Sequence, residues 1–419
     1  MGLHPAVNKK GRKDKSESMS MDRRTPLSRY LSKLGSARHS KSGDGLSELL
    51  CVDGGSTMRH LDEMIQDMEF DDQIRAKLGS PWDLVVTSHL NASHCLKSRD
   101  FIGAFDYQVS TINAFIRTLP QNDNWVLLGL YTLNQDLYDL AIASDEQLLK
   151  KNFEPTKLEE SARIINKSFS ACINDREDII SRSRKWGTYY MANLLFKVYF
   201  RIRSLNLCGN VLKAIKASQP PEIEQFPLGD QVTFNFYLGV LSFRGEEYEK
   251  ASDHLEFSLK HCYSGAKANK RAVLEYLIPI KMLNGILPSE KLFNLYPDLR
   301  KIYGIFANAI KSGDVGMFDR CLEKHQRSLL RRGTYMIMEH IREMVIRTLY
   351  LIKGSNSRLS LDNLKQALRV AGLDIEMAEI ECLVVNMIYK GYIKGYLSHE
   401  HLILVLSKQD PFPVLGNKP

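Results

Sequence analysis

Near the end of this chain, apolar residues return every three or four positions in two runs separated by a three-residue break. The first run is Leu299, Ile302, Ile305, Phe306, Ala309 and Ile310; the second is Phe318, Leu322, His325 and Leu329. That spacing predicts two helices, each with a single apolar face. Ser312-Gly313-Asp314 lies between them, the glycine suited to stop one helix and the aspartate to cap the next. A short helix cannot hide its face alone, so the pair must close on itself and stack on neighbours.

The same design recurs upstream. Within Val232 to Cys262, Phe234, Tyr237, Leu238 and Leu241 mark one helix, Gly245 breaks it, and Tyr248, Ala251, Leu255 and Leu259 mark the next. The small Ala251 lets paired helices approach closely, as in tetratricopeptide-like hairpins. From about Trp82 the period is helical, with faces at Ala162, Ile165, Phe169, Cys172 and Ile173 and at Tyr189, Ala192, Leu195, Phe196 and Tyr199. The prolines of Ser218 to Gly229 exclude helix there, and Pro279 is expected to kink or divide the helix around it.

After Gly333 the style changes. Thr334 to Ile352 reads as a long helix, and Ser360 caps a second over Leu361 to Val370, ended by Gly372. Asp374 is expected to cap a third, Ile375 to Tyr389, with Ile380, Val384, Met387 and Ile388 inward. Tyr392 to Leu397 and Leu402 to Leu406 then pair as a β-hairpin, placing His399 and His401 on one face of a strand. Helix, helix and two strands is the order of a winged helix. The fold class expected is therefore all-α: a helical-repeat solenoid capped by a winged helix with a short β-hairpin. The expected divisions are a disordered basic tail over 1–58, helical repeats over 59–217 and again over 230–332, a winged-helix module over 333–413, and a tail over 414–419.

The tail assignment rests on composition: residues 1–50 hold eleven Lys and Arg against five acids, among many Ser and Gly. Lys9-Lys10-Gly11-Arg12-Lys13 and Arg23-Arg24 suit a solvated tail, a nuclear-import patch or a nucleic-acid arm. The net charge of +8 permits polyanion binding without requiring it. The seven cysteines are scattered and never spaced Cys-x-x-Cys, which fits a reducing compartment. With no apolar leader at the N-terminus and no uninterrupted apolar run of about 18 residues, neither export nor membrane spanning is expected.

Signatures of an enzyme are absent: no Gly-rich phosphate loop followed by Lys, no His-Glu-x-x-His, no nucleophile elbow. Neither His399 with His401 nor the looser group His89, His94 and Cys95 supplies a full metal-ligand set. No catalytic residue, cofactor, metal or small-molecule substrate is expected. The basic residues of the last third carry more information. Lys365 and Arg369 lie one turn apart on a helix, Lys390 and Lys394 flank the start of the wing, and Arg327, Arg331 and Arg332 end the preceding helical pair. Presented on one face they would hold phosphates, yet Asp374, Glu376, Glu379 and Glu381 crowd the helix that would read bases. Sequence-independent backbone binding and a merely solvated face both remain open; base-specific reading is disfavoured. The hairpin edge, with Tyr392, Tyr396 and His399, is free to meet a partner.

Several segments resemble a known family. Helical repeats passing directly into a winged helix resemble the PCI domain, shared by subunits of the proteasome lid, the COP9 signalosome and translation initiation factor 3. The local likeness is sharper. Lys185-Trp186-Gly187, Leu195-Phe196-Lys197-Val198-Tyr199-Phe200 and Leu205-Asn206-Leu207-Cys208 resemble the PCI subunit of the nuclear transcription-coupled mRNA-export complex. So do Asn269-Lys270-Arg271, Tyr276 to Met282, Ile388-Tyr389 through Lys394-Gly395-Tyr396-Leu397-Ser398-His399, and Leu406 to Pro413. The likeness spans roughly Pro81 to Pro413, and a close paralogue associated with the COP9 signalosome and splicing factors shares much of it. The resemblance implies a non-catalytic subunit in the nucleus, at the nuclear pore, and also in the cytoplasm. Its implied partners are a large mRNA-export scaffold protein, the small acidic disordered subunit shared with the proteasome lid, and RNA or DNA bound without sequence preference. Carried over by position, the nucleic-acid residues are Arg327, Arg331, Arg332, Lys365, Arg369, Lys390 and Lys394. The paralogue implies the alternative, a signalosome- or splicing-associated subunit without nucleic-acid contact.

Overall fold

Thr25 begins the first helix. Its hydroxyl accepts the Ser28 N–H at 3.2 Å, and Pro26 sets the first turn of α1 (Pro26–His39). The computed structural model describes residues 25–53, 70–353 and 357–413. Leu27, Tyr30, Leu31 and Leu34 form a buried helical stripe on α1, and Leu46 and Leu49 another on α2 (Gly43–Leu49). The Tyr30 hydroxyl donates to the Leu49 carbonyl at 3.1 Å, tying the two. A disordered tail over 1–58 is thus corrected for residues 25–53: apolar residues at helical spacing outweigh the Ser- and Lys-rich composition around them. Residues 1–24, with both basic runs, and 54–58 lie outside the described residues, as do 414–419.

The chain divides into two compact units between Gln225 and Phe226. The first continues with α3 (Phe70–Leu78), α4 (Trp82–Lys97), α5 (Phe101–Thr118), α6 (Leu127–Lys150), α7 (Lys157–Ile173), α8 (Thr188–Arg201) and α9 (Asn206–Ser218), successive helices packing side by side from α3 onward. Between α7 and α8 the chain is irregular and organised by one carboxylate. Asp175, whose side chain is 4% exposed, accepts from Ser183 Oγ at 3.0 Å and from the backbone N–H and the guanidinium of Arg184. Burial pushes this carboxyl up, but those donors outweigh it and hold it below the usual carboxylate range. Lys185-Trp186-Gly187 follows directly. Lys185 Nζ donates to the Ser218 carbonyl at 3.0 Å, at the end of α9, and Trp186 Nε1 to the Ile180 carbonyl at 2.7 Å.

The second unit stacks α10 (Leu228–Arg244), α11 (Tyr248–His261), α12 (Lys267–Leu283), α13 (Glu290–Leu295), α14 (Pro297–Ser312), α15 (Val315–Arg332) and α16 (Tyr335–Lys353). Gly313 ends α14 at φ +69°, and Asp314 accepts the Met317 N–H at 2.8 Å to start α15. Pro279 does not divide its helix: α12 is continuous. A proline there leaves the Glu275 carbonyl without its intrahelical donor, and the buried hydroxyl of Tyr303, on α14, donates to it at 2.7 Å. Removing that hydroxyl orphans a buried carbonyl. Tyr303→Phe is expected to cost about 1–2 kcal/mol. Adding Pro279→Ala, which restores an N–H to the ladder, should recover most of it in a double-mutant cycle of urea unfolding.

The winged helix follows α16. A strand β1 (Arg358–Ser360) leads into α17 (Leu361–Val370), then α18 (Met377–Tyr389), β2 (Gly395–Ser398) and β3 (Ile403–Leu406). The hairpin gains a third, antiparallel strand, in the order β1-β3-β2, with Leu404 opposite both Leu359 and Leu397. Helix α18 starts two residues later than expected, with Glu376 rather than Asp374 at its N-cap. Ile380, Val384 and Met387 are buried. His399 and His401 lie in the turn between β2 and β3, not along a strand. In the Lys394-Gly395-Tyr396 segment the glycine is needed for pairing, since a Cβ on Gly395 would stand 2.2 Å from the Val405 carbonyl oxygen. The module is seated on the repeats by another close approach: a Cβ on Gly316, in α15, would lie 1.7 Å from the carbonyl oxygen of Ala371, at the end of α17. Among the described residues no helix is long and apolar enough to cross a membrane.

Candidate partner and nucleic-acid surface of the winged helix

The seven cations expected to hold phosphate do not form one free field. Arg332 is paired with Glu275 at 2.7 Å, Lys390 with both carboxylate oxygens of Glu343 at 2.6 and 2.8 Å, and Lys394 with Asp410 at 3.3 Å. Each pair is partly exposed and individually weak, but a phosphate would meet the carboxylate as well as the cation. Arg327, Arg331 and Arg369 are exposed and Lys365 is half-buried. These four have no carboxylate partner among the described residues. They fall in two rows, one turn apart on each helix. The α17 row lies beside the Gly316 contact, whereas Arg327 and Arg331 are 11 and 15 residues further along α15, about 17–22 Å of helix axis away. Arg331 and Arg332 also sit in the last turn of α15, where a cation suits the helix dipole whatever else it does.

Helix α18 occupies the position of a recognition helix yet contains neither lysine nor arginine. Its charges are Glu379 and Glu381, and Glu381 is hydrogen-bonded to His399 Nδ1 at 2.8 Å. The outward face is apolar: Val385 is 50% exposed, Tyr389 89%, and Ala378 and Cys382 are open to solvent on the same side. A face with acids and hydrophobes repels a phosphate backbone and offers base edges little to bond. It is the composition of a protein contact, where exposed aromatics act as anchors.

The three residues expected to meet a partner separate by role. Tyr396, on the edge strand β2, is 63% exposed, and His399 projects from the adjoining turn. Tyr392 is half-buried, burial pushing its hydroxyl pKa up, and its carbonyl accepts from Arg347 Nε at 2.9 Å. Arg347 also donates to the Pro413 carbonyl at 2.8 Å, with the Phe412 ring 5.7 Å from the guanidinium carbon. The arginine binds the base of the wing to the final Pro-Phe-Pro segment. Nothing local in the sequence marks Arg347. Val385 and Tyr389 did leave a trace: once Ile380, Val384 and Met387 are assigned inward, a 3.6-residue helix turns these two outward. As for the histidines, His89 is fully buried, which drives its pKa down to about 4, and among the described residues no three His, Cys, Asp or Glu side chains converge as for a metal ion.

The PCI domain family matches residues 322–408, from α15 through β3. The chain is also similar along nearly its whole length to several known proteins. PCI domain-containing protein 2 of Xenopus laevis is 32% identical over 402 residues, covering 93% of this chain and 98% of the relative. The protein CSN12 homologue of Mycosarcoma maydis is 36% identical over 432 residues, covering 89% and 94%, and that of Schizosaccharomyces pombe 33% over 417 residues, covering 94% and 98%. With about a third of its positions shared from end to end, and helical repeats running into a winged helix, the chain belongs to the family of PCI domain proteins that includes PCI domain-containing protein 2 and the CSN12 homologues.

Proposed function

We propose that the protein is a non-catalytic scaffold subunit that docks through its winged-helix module on another subunit of an assembly of the COP9-signalosome type. The observation that carries this is the outward face of α18, where Val385 and Tyr389 stand exposed on a helix without cations. Its likeness to CSN12 homologues supports the choice of assembly. Such a subunit would act in the nucleus and the cytoplasm. A second reading, the mRNA-export subunit, adds a large export scaffold, the small acidic subunit and RNA or DNA as partners. It draws on Arg327, Arg331, Lys365 and Arg369, the four of the seven cations that have no carboxylate partner among the described residues.

Affinity purification of the tagged full chain, with partners identified by mass spectrometry, separates the two. Val385→Glu with Tyr389→Glu, both on solvent-facing positions, is expected to reduce recovery of signalosome subunits by about tenfold or more, as loss of an aromatic anchor does. Reversing the four free cations to Glu should leave that recovery unchanged. Recovery of an export scaffold instead, with RNA lost on charge reversal, would establish the second reading and overturn the first.

A further inference from the structure

The N-terminal part of the exposed row of α18 also forms the wall of an open groove. Ala378, Cys382 and Asn386, four residues apart, line it along about 12 Å of helix axis. Ile346 of α16 and Leu368 of α17 form its floor, and Leu373 and Ile375 close one side. The groove has a volume of about 410 Å³ and a lining that is mostly apolar. It does not end at α18. Arg342 and Leu383 belong equally to a second hollow of about 530 Å³, between α15 and α16, whose character is different. There the walls carry Asp319, Glu323, Glu339 and Glu343. Against these four carboxylates stand two cations: Arg342, held by Asp319 through two bonds of 2.7 and 2.9 Å, and Lys390, held by Glu343. Glu323 and Glu339 remain exposed to solvent. The two hollows adjoin at Arg342 and Leu383, and this two-part channel is apolar in one half and acidic in the other.

We infer that this channel receives a short amphipathic helix of a partner protein, its apolar row seated against α18 and lysines or arginines at one end over Glu323 and Glu339. The inference rests on the scaffold reading above and names the chemistry of one partner segment. Two turns of helix match the length of the apolar half, and an apolar row at i, i+4 and i+7 is what such grooves bind. The acidic half selects the charge. A phosphate chain would be repelled there, and an acidic segment would meet like charge at close range. The exposed Val385 and Tyr389 extend the apolar surface along the same helix, so an occupant of the channel continues into the proposed interface.

Two synthetic peptides of roughly five helical turns, sharing one leucine row but flanked by Lys in one and Glu in the other, test this by fluorescence anisotropy against the full chain. The Lys peptide is expected to bind at least about tenfold more tightly and to slow alkylation of the exposed Cys382. Ala378→Trp, at an exposed position, should block it, and Cys382→Arg provides a second block should the first variant fold poorly. Glu323→Lys with Glu339→Lys should invert the preference between peptides. Equal binding of both peptides, no binding of the Lys peptide, indifference to both blocks, or displacement by single-stranded RNA would each overturn the proposal. Capture of signalosome subunits that survives Ala378→Trp but fails with Val385→Glu and Tyr389→Glu removes the channel and leaves the scaffold reading standing. If neither set of variants matters, both fall.

Discussion

Alanine at position 175 is expected to cost the first unit about 3 kcal/mol, because it leaves the Arg184 guanidinium in place without its carboxylate. The Arg184 side chain is 14% exposed, so water only partly replaces the lost partner. Ser183 Oγ and the Arg184 N–H lose an acceptor in the same step. The dependence on pH identifies the cause. Asp175 is held below the usual carboxylate range, so its contribution is complete above the unfolded value of about 4 and disappears as pH falls through the folded one. Urea unfolding of wild type and Asp175→Ala should therefore differ by a constant amount near neutrality, with the gap closing in acid. A gap below about 1 kcal/mol at neutral pH would mean that the carboxylate merely decorates the loop. The loop matters because Lys185 and Trp186 follow it, and their bonds to Ser218 and Ile180 fix how α8 and α9 begin and end.

A single methyl group on Gly316 is expected to be as damaging to the second unit, at about 3 kcal/mol. Its Cβ would stand 1.7 Å from the Ala371 carbonyl oxygen and 2.9 Å from that carbonyl carbon, both backbone atoms. No rotamer change relieves a clash with backbone. Either α15 or the end of α17 must retreat by more than an ångström, opening the seam around the buried Leu368 and Phe318. Hydrogen exchange should report the site of failure. In Gly316→Ala, amides of α17 should lose protection while those of α4 to α6 keep theirs. Uniform loss, or none, would show that the close approach does not seat the module.

Much of the fold could be read locally. The helical period, the break at Ser312-Gly313-Asp314 and the Ser360 cap all act within a few residues, and the helices begin and stop where those signals stand. The first two helices were equally legible, with Thr25-Pro26 and the Leu27, Tyr30, Leu31, Leu34 stripe in plain view, but the surrounding Ser, Gly and Lys dominate an average over 50 residues. Strand β1 had no such signal. Three residues become a strand only because Leu404 lies opposite Leu359, a choice made 45 residues later. The charged surface was the least legible part. Lys390 meets Glu343 across 47 residues and Arg332 meets Glu275 across 57, so a count of cations along the sequence overstates what a phosphate would find.

The hydroxyl that Tyr303 lends to Glu275 has a consequence for how the repeats come apart. Where each helix completes its own ladder, a stack of helical pairs can fray from an end, one pair at a time, because each unit keeps its intrinsic stability. Pro279 removes that option at α12. Its open carbonyl at Glu275 is satisfied by a residue 28 positions further along the chain, so part of what stabilises this helix exists only while its neighbour is docked. Free energy is moved from the single repeat into the coupling between repeats, which makes the transition there sharper. The surface that carries the winged helix is then expected to be lost together with α12 and α14 rather than after them.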